Sequence, residues 1–313
     1  MRSKSLFSAL ISVIFLFVVG CAAVSAQTPS PTPRPATTPP PSDIFLIDVK
    51  TKGNQLKFGE PKKITDVAGY NNQPFFMPDG SILFTSFRGK QTDIYRYDSY
   101  TGATSQITNT PESEYSPTLM PDKKNISVVR VEADGTQRLW KFPLTGGGQP
   151  ALILENVKPV GYHYWIDDHT LALFILGGTG KPNFLEIIDT TTNKSEFVAE
   201  NPGRIMRKVP NQNKFSFVHK ISDQHWEIKA FDLRARTSAS LMQTLQGAED
   251  YAWLPDGRLI MAKDSKLFAV EPLRGKDWQE VADFSQAGIK RITRIAVNSS
   301  GNRIAMVGVV DQK

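Results

Sequence analysis

The feature of this chain that most constrains its fold is a short unit that repeats after Ser42. In the clearest copy an apolar segment ends at Pro78-Asp79-Gly80, and it is followed by an apolar run at 82–84, an alternating run at 93–98 and a short segment at 106–108. Alternation with period two is typical of β-strands, and Pro-Asp-Gly is typical of a tight turn between two of them. Each copy therefore predicts four short antiparallel strands.

The spacing of the copies predicts the architecture. The third strands of the copies start 40 to 50 residues apart, at Asp43, Asp93, Gln137, Asn183, Trp226 and Lys266. Four strands repeated at this period indicate a β-propeller, whose units stand as blades around a central channel. The predicted fold is all-β, a six-bladed β-propeller with four antiparallel strands per blade.

The two ends of the repeat region predict how the ring closes. The region starts with a third strand at 43–48 and a fourth strand at 62–65, and the chain finishes with a first strand at 292–297 and a second at 303–310. Pairing of these two half-blades would satisfy the hydrogen bonds of both open strand edges. We therefore expect residues 43–313 to form one propeller, closed by pairing of its N- and C-terminal half-blades.

Several residues of the clearest copy also occur, in the same order, in a known repeat. They are Pro74, Pro78-Asp79-Gly80, Ser86-Phe87-Arg88-Gly89, Asp93-Ile94-Tyr95 and Ile107-Thr108. They resemble the WD40-like repeat of the TolB propeller family, and the resemblance covers residues 43–310. It implies an exported, non-enzymatic propeller that binds proteins or envelope components. TolB also carries an α/β domain ahead of its propeller, so the resemblance concerns the propeller only.

The first 26 residues predict a secretory signal. Arg2 and Lys4 precede an apolar run of 14 residues at 6–19, which is short for a membrane-spanning helix, and Val24-Ser25-Ala26 fits a signal-peptidase site. The segment Val18-Val19-Gly20-Cys21 resembles a bacterial lipobox, in which the cysteine is acylated. Two mature forms therefore stay open, a lipoprotein that begins at Cys21 and a soluble protein that begins at Gln27.

Residues 27–42 predict a linker rather than a folded element. Seven of these 16 residues are proline, which cannot donate the backbone hydrogen bonds of a helix or a sheet. Such a segment favours an extended polyproline II conformation. We expect a spacer between the signal and the propeller.

Composition narrows the class of function. The chain has 37 Lys and Arg against 31 Asp and Glu, and three of the basic residues precede the repeat region, which leaves that region a formal charge of +3. This mild charge argues against nucleic-acid binding. Cys21 is the only cysteine, so the chain can form no internal disulfide and no cysteine zinc site. We expect a monomer that binds an envelope protein or peptide, in the bacterial periplasm or on the outer membrane through a lipid at Cys21, without a metal or another cofactor.

First strands line the channel of a propeller, so the residues just before them are expected to ring one mouth of the channel. These positions are polar and of mixed sign: Asn71, Asn72, Glu114, Tyr115, His163, Arg204, Glu249 and Arg291. Two interpretations stay open, a binding mouth for a partner peptide and the hydrated lining of any propeller channel. The basic groups at 204–208 and 290–294 likewise fit either a solvated rim or a site for an anionic envelope ligand.

The enzymatic alternative is a hydrolase similar to the six-bladed lactonases, which hold a divalent cation in the channel. Hard cations prefer several convergent oxygen ligands, which here would come from Glu114, Glu249, Asn71 and Asn72.

Two further motifs favour structure over chemistry. Asp167-Asp168-His169 aligns with the Pro-Asp turns of the other copies, on the face opposite His163, so it predicts a turn rather than a metal or acid–base cluster. The segment at 177–181 is rich in glycine but is followed by Pro182, where a phosphate-binding P-loop needs Ser or Thr. We expect it to be a loop between the second and third strands of its blade.

Overall fold

The computed structural model describes residues 39–145, 148–274 and 277–310. The predicted signal at 1–26, the lipidation candidate Cys21 and most of the predicted linker at 27–42 lie outside the described residues. Within the described ranges, no helix is long and apolar enough to cross a membrane.

The described chain starts with three strands that belong to the closing blade. They are β1 (Asp43–Lys52), β2 (Gln55–Phe58) and β3 (Lys62–Lys63). Five complete blades follow, each a sheet of four antiparallel strands paired in chain order.

The five complete blades follow one another along the chain. Blade 1 comprises β4 (Asn71–Phe76), β5 (Ile82–Arg88), β6 (Gln91–Tyr97) and β7 (Thr104–Gln106). Blade 2 comprises β8 (Ser113–Leu119), β9 (Asn125–Val131), β10 (Gln137–Pro143) and β11 (Ala151–Leu152). Blade 3 comprises β12 (Val160–Trp165), β13 (Thr170–Ile175), β14 (Phe184–Asp189) and β15 (Ser195–Glu200). Blade 4 comprises β16 (Pro202–Lys208), β17 (Lys214–Ser222), β18 (His225–Asp232) and β19 (Thr237–Gln243). Blade 5 comprises β20 (Tyr251–Trp253), β21 (Leu259–Lys263), β22 (Lys266–Val270) and β23 (Gln279–Asp283), with short 3₁₀ turns at Pro272–Arg274 and Ser285–Ala287.

The last two strands close the ring as the sequence predicts. Strands β24 (Ile289–Val297) and β25 (Arg303–Val310) are the first and second strands of blade 6, and β1 is its third strand. The antiparallel register between β1 and β25 runs from Asp43 opposite Gly308 to Asp48 opposite Arg303. The six-bladed fold and its closure by two half-blades are therefore confirmed.

The fourth position of blade 6 differs from the prediction of one strand at 62–65. Strand β1 is ten residues long, and its outer part at 49–52 pairs with β2 while Phe45 and Leu46 pair with β3. The long third strand therefore leaves room for two short partners on one edge.

The hydrophobic core lies between the blades. Each second strand is buried on both faces, so its residues are apolar in both directions, as in Phe84 of β5 and Phe215 and Phe217 of β17. The apolar residues of the described chain group into clusters that each join two neighbouring blades, for example blades 3 and 4 around Phe215 and blades 5 and 6 around Ile47. This packing fixes the ring and aims all six first strands at the axis.

Candidate functional site

A small cavity on the channel is lined by irregular first strands. The pairing register is interrupted in β4, β8, β12, β16 and β24, and such bulges bend a strand and redirect its side chains. Gln73 and Ser116 have φ angles of 58° and 55° there, in the left-handed region that residues other than glycine rarely adopt. A cavity of about 70 Å³ results, which we term the waist. Each blade contributes at least one polar side chain to it, and the polar lining residues are Gln73, Ser116, Thr118, Tyr162, His163, Arg204, Arg207, Asp250 and Arg294.

Arg204 is neutralised on one side of the waist. Its guanidinium donates to Asp250 Oδ2 from Nε at 2.9 Å and from a terminal nitrogen at 2.6 Å, and it also donates to the Thr293 carbonyl at 2.7 Å. Glu249 Oε1 lies 3.5 Å from Arg204 Nε, and Glu249 Oε2 lies 2.8 Å from Lys220 Nζ. Burial opposes the charge of Arg204, but the Asp250 and Glu249 carboxylates outweigh it and raise the pKa of Arg204. For Glu249, burial is outweighed by Arg204 and Lys220, which lower its pKa.

Arg294 crosses the channel. Its terminal nitrogen donates to Tyr162 Oη at 3.1 Å, and its guanidinium lies 5.2 Å from the centre of the Tyr162 ring. Blade 6 contacts blades 1 and 5, so blade 3, which carries Tyr162, stands opposite it in the ring. The contact therefore spans the channel and separates its two ends. Nearby Tyr70 stays neutral, because burial raises its pKa to about 12.

His163 follows Tyr162 in β12 and forms part of the wall of the waist. Its Nε2 lies 2.7 Å from Ser127 Oγ, which also accepts a hydrogen bond from Trp165 Nε1 at 2.9 Å. Burial lowers the pKa of His163 to about 3, so the ring is neutral at physiological pH. Its other nitrogen, Nδ1, is buried without a hydrogen-bond partner among the described residues.

A wide funnel opens from the waist towards the face that carries the turns between first and second strands, which we term the turn face. The funnel has a volume of about 620 Å³ and shares Pro74, Phe75, Thr118, His163 and Arg207 with the waist. Its wall is mainly apolar and aromatic, and it includes Phe76, Met77, Leu119, Met120, Tyr164, Trp165 and Val297. A concave apolar wall above a few polar groups is the usual form of a binding site.

Three of the eight predicted mouth residues meet at the opposite face. Arg204, Glu249 and Arg291 line a pocket of about 460 Å³ that also includes Lys263 and Asp264. His163 instead lines the waist and the funnel. The predicted ring therefore divides between the two ends of the channel.

The two asparagines of the predicted mouth bond to the segment before β1 and within blade 1. Asn71 is almost completely buried, and its Nδ2 donates to the carbonyls of Val67 at 2.8 Å and Ser42 at 3.2 Å, while its Oδ1 accepts from Ser86 Oγ at 2.7 Å. Asn72 Oδ1 accepts from the backbone of the next residue at 2.8 Å. These bonds attach the segment before β1 to blade 1.

Glu114 and Tyr115 are engaged inside the protein. Tyr115 packs on the apolar cluster between blades 2 and 3. Glu114 is completely buried, and it accepts hydrogen bonds from Thr108 Oγ1 at 3.1 Å and from Thr110 Oγ1. Burial raises the pKa of Glu114 to about 8, and the neighbouring Asp93 carboxylate adds to the rise. Burial also raises the pKa of Asp93, and the titrations of the two carboxyls are linked because they are neighbours.

The acidic run at 167–169 forms a turn. Asp167 Oδ1 accepts from the backbone nitrogens of His169 at 2.9 Å and Thr170 at 2.8 Å, which is how an aspartate stabilises a turn. In the parts of the chain that the structure describes, no group of three or more His, Cys, Asp and Glu side chains is placed to hold a metal ion. The glycine-rich segment lies between β13 and β14, the second and third strands of blade 3.

Sequence reasoning missed the residues that line the funnel. Phe76, Met120 and Trp165 each lie one or two positions before the turn between first and second strands, whereas only polar residues ahead of the first strands were expected to form a site. An apolar residue before this turn in several copies is the signal that could have identified the wall. Arg207 was predicted only as a member of the basic group at 204–208, although it lines both the funnel and the waist.

Comparison with known structures supports this architecture. A protein from Agrobacterium tumefaciens, provisionally named TolB, matches with a TM-score of 0.68 at 13% identity, over 87% of this chain and 99% of its own. The chain has the TolB-like propeller fold. TolB from Acinetobacter baumannii matches with a TM-score of 0.54 at 15% identity over 86% of this chain, which spans 64% of that protein. The resemblance noted in the repeat is therefore confirmed at the level of the fold.

Enzymes share the architecture as well. A provisionally named gluconolactonase matches with a TM-score of 0.59 at 9% identity, over 83% of this chain and 94% of its own. No protein-family model and no curated protein matches the sequence. Similarity of fold at this level of identity leaves function to be argued from the site.

Proposed function

We propose that this protein is a non-enzymatic binding scaffold that holds a peptide segment of a protein partner in the funnel. The observation that carries the proposal is the apolar and aromatic wall of the funnel, which stays partly accessible above the polar waist. Partly exposed aromatic and methionine side chains are enriched where proteins bind one another. The fold shared with two TolB proteins supports a binding role.

We propose further that the chain is exported to the bacterial periplasm and acts there as a monomer. The charged start, the apolar run and the small residues near position 26 support export. Membrane contact would then come only from a lipid at Cys21. Mass spectrometry of the mature N-terminus tests this, because a chain that begins at an acylated Cys21 and one that begins at Gln27 differ in mass, and an unprocessed Met1 contradicts export.

Site-specific photo-crosslinking tests the funnel. A photoreactive residue at Met120, which lines the funnel, is expected to capture the partner in cells. The same residue at Leu273, which is 78% exposed and lies outside the funnel, is the matched control. Capture from Met120 alone, lost in a Phe76→Asp variant of the same protein, supports the proposal. Equal capture from both positions contradicts it.

The charged pocket at the opposite face is the second location for the same function. Glu249 lines it, whereas Glu114 is buried away from it. A partner held there is expected to bind the Glu249→Gln variant more weakly and to bind the Phe76→Asp variant normally. The double change Glu114→Gln with Glu249→Gln, which covers the predicted mouth, is then expected to act through Glu249 alone. Unchanged capture by the double variant rejects this location.

The fold shared with a gluconolactonase supports a hydrolase as the second candidate. Its cation would require convergent oxygens from Glu114, Glu249, Asn71 and Asn72. The two asparagines bond to Ser42, Glu114 accepts from two threonines and Glu249 pairs with two cations, so these side chains are engaged in three separate networks. Calorimetry with calcium separates the candidates, because tight binding that Glu249→Gln abolishes would support the hydrolase.

A further inference from the structure

The waist contains a buried positive charge that has no counter-ion among the described residues. Arg294 is only 9% exposed, and within the described chain its guanidinium has one hydrogen bond, to the neutral Tyr162 hydroxyl. Among residues 39–310 as far as the structure describes them, no carboxylate lies within ion-pair distance of Arg294. A buried charge is costly unless it is paired, so this arrangement points to a group that the protein itself does not supply.

The charges around the waist add up to an excess of positive charge. Arg204, Arg207 and Arg294 line it, and Asp250 is the only carboxylate among the described lining residues. Asp250 is taken up by Arg204 through Oδ2, while its Oδ1 accepts from the Ile295 backbone nitrogen at 3.2 Å. Arg207 donates to the carbonyl of the residue before it, at 3.0 Å, and to no carboxylate of the described ranges. Two guanidinium groups at the floor of the funnel therefore lack an anion from this part of the chain.

A ring nitrogen at the same place is also without a partner among the described residues. Ser127 Oγ accepts from Trp165 Nε1 at 2.9 Å, and it lies 2.7 Å from His163 Nε2 and 3.4 Å from the Thr118 carbonyl. Where the Ser127 hydroxyl donates to Nε2, Nδ1 carries the proton of the neutral ring. His163 Nδ1 is buried and has no hydrogen-bond partner among the described residues, on a side chain that lines both the waist and the funnel.

We infer that the waist is a subsite for a carboxylate, bound by Arg294 and Arg207 with His163 Nδ1 as an additional donor, and that the partner segment carries this carboxylate next to apolar residues. Arginine guanidinium groups suit the planar, two-oxygen geometry of a carboxylate. A cavity of about 70 Å³ has room for several water molecules, so a carboxylate fits in it. The apolar wall of the funnel, directly above the waist, would contact the apolar residues next to this carboxylate in the partner segment. The inference rests on the proposed binding function and names the chemistry that the funnel selects.

Titration with N-acetylleucine tests the subsite, with N-acetylleucinamide as the neutral match and inorganic phosphate as the competing anion. The full chain is labelled with ¹⁵N, and the arginine Nε–H signals are followed by NMR. Saturable shifts with N-acetylleucine, at least tenfold weaker with the amide, support the subsite. Arg207→Met is expected to weaken binding at least tenfold, whereas Lys194→Met, at an exposed residue outside the funnel and the waist, leaves it unchanged.

Arg294→Met provides a readout that a purely structural role would not give. Because the change removes a buried charge that has no counter-ion in the described chain, we expect the free protein to keep or raise its Tm while it loses the affinity for N-acetylleucine. N-acetylleucine is expected to raise the Tm of the wild-type protein only. Three results overturn the inference: equal binding of acid and amide, undiminished binding by both arginine variants, or binding of phosphate alone. In each of these cases, capture of a partner from Met120 would still uphold the proposed function.

Discussion

Glu114 allows a sharp test of the electrostatics of the ring. It is completely buried where blade 1 meets blade 2, and it is held by the hydroxyls of Thr108 and Thr110 beside Asp93. A nearby cation is Arg130, whose Nε lies 3.9 Å from Glu114 Oε1 but whose guanidinium pairs with another glutamate. Burial therefore prevails, and the folded protein keeps a proton on Glu114 at neutral pH.

The sign and size of the effect follow from the two pKa values. The pKa of Glu114 is about 8 in the folded protein against an ordinary value of 4.5, so between these values the folded state binds one more proton than the unfolded state. The stabilisation is complete below pH 4.5 and is lost as the pH rises through 8. One proton corresponds to about 1.4 kcal/mol per pH unit, so the free energy of unfolding falls by about 3 kcal/mol between about pH 5.5 and 7.5.

The change Glu114→Gln removes this titration and keeps a donor for Asp93 and an acceptor for the two threonines. We expect the free energy of unfolding of the variant, relative to that of the wild type, to rise by about 3 kcal/mol from about pH 5.5 to 7.5. Urea unfolding followed by tryptophan fluorescence at pH 5.5, 6.5 and 7.5 measures the difference, in which the titrations shared by both proteins cancel. Glu132→Gln is the matched control, because hydrogen bonds from Arg138 lower the pKa of Glu132 and its difference from wild type stays constant above pH 5.5. A constant difference for Glu114→Gln as well would refute the reasoning.

Two further predictions concern stability. Ser216 Oγ accepts from Tyr251 Oη and from Trp253 Nε1, both at 2.8 Å, so Ser216→Ala leaves two donors of the next blade unpaired. We expect this change to lower the free energy of unfolding by about 2–4 kcal/mol in chemical denaturation. A loss below about 1 kcal/mol would show that water replaces the serine. Ile47 is completely buried in the third strand of the closing blade. In the same measurement, Ile47→Ala is expected to lower the free energy of unfolding by about 2–5 kcal/mol and Ile47→Val by about 0.5–1.5 kcal/mol. Equal losses for the two variants would contradict tight packing where the ring closes.

The fold could be predicted from the sequence because its signals are local and repeated. The turn at Pro78-Asp79-Gly80 and the apolar second strands recur at a nearly constant period, and the half-blades at the two ends leave one way to close the ring. The split fourth position of blade 6 could not be predicted in this way. It depends on how far β1 extends beyond its partner β25, which is a property of the pairing and not of either segment alone.

The site could be predicted only in part, because the position of a side chain along a first strand depends on bulges. Asn71 and Glu114 were expected at the mouth, but they are buried in hydrogen-bond networks that join blades. Arg204 and Glu249 were both placed at the mouth, and the structure brings their side chains within 3.5 Å of each other, a pairing that no local pattern predicts. The contact between Arg294 and Tyr162 joins opposite blades 132 residues apart, and no local pattern encodes it.

The waist is also the place where the repeat has no common residue. The second strands and the turns keep similar residues from copy to copy, because they must pack against equivalent neighbours. At the waist the six blades contribute glutamine, serine, threonine, tyrosine, histidine, three arginines and an aspartate, although every blade is an antiparallel sheet of the same type. A symmetric ring that only had to be stable would gain nothing from so unequal a set, and one of the arginines is buried without a counter-ion from the described chain. The departure from the repeat is what the proposed carboxylate subsite requires at the floor of the funnel, where the apolar wall ends and Arg294 lacks a counter-ion among the described residues.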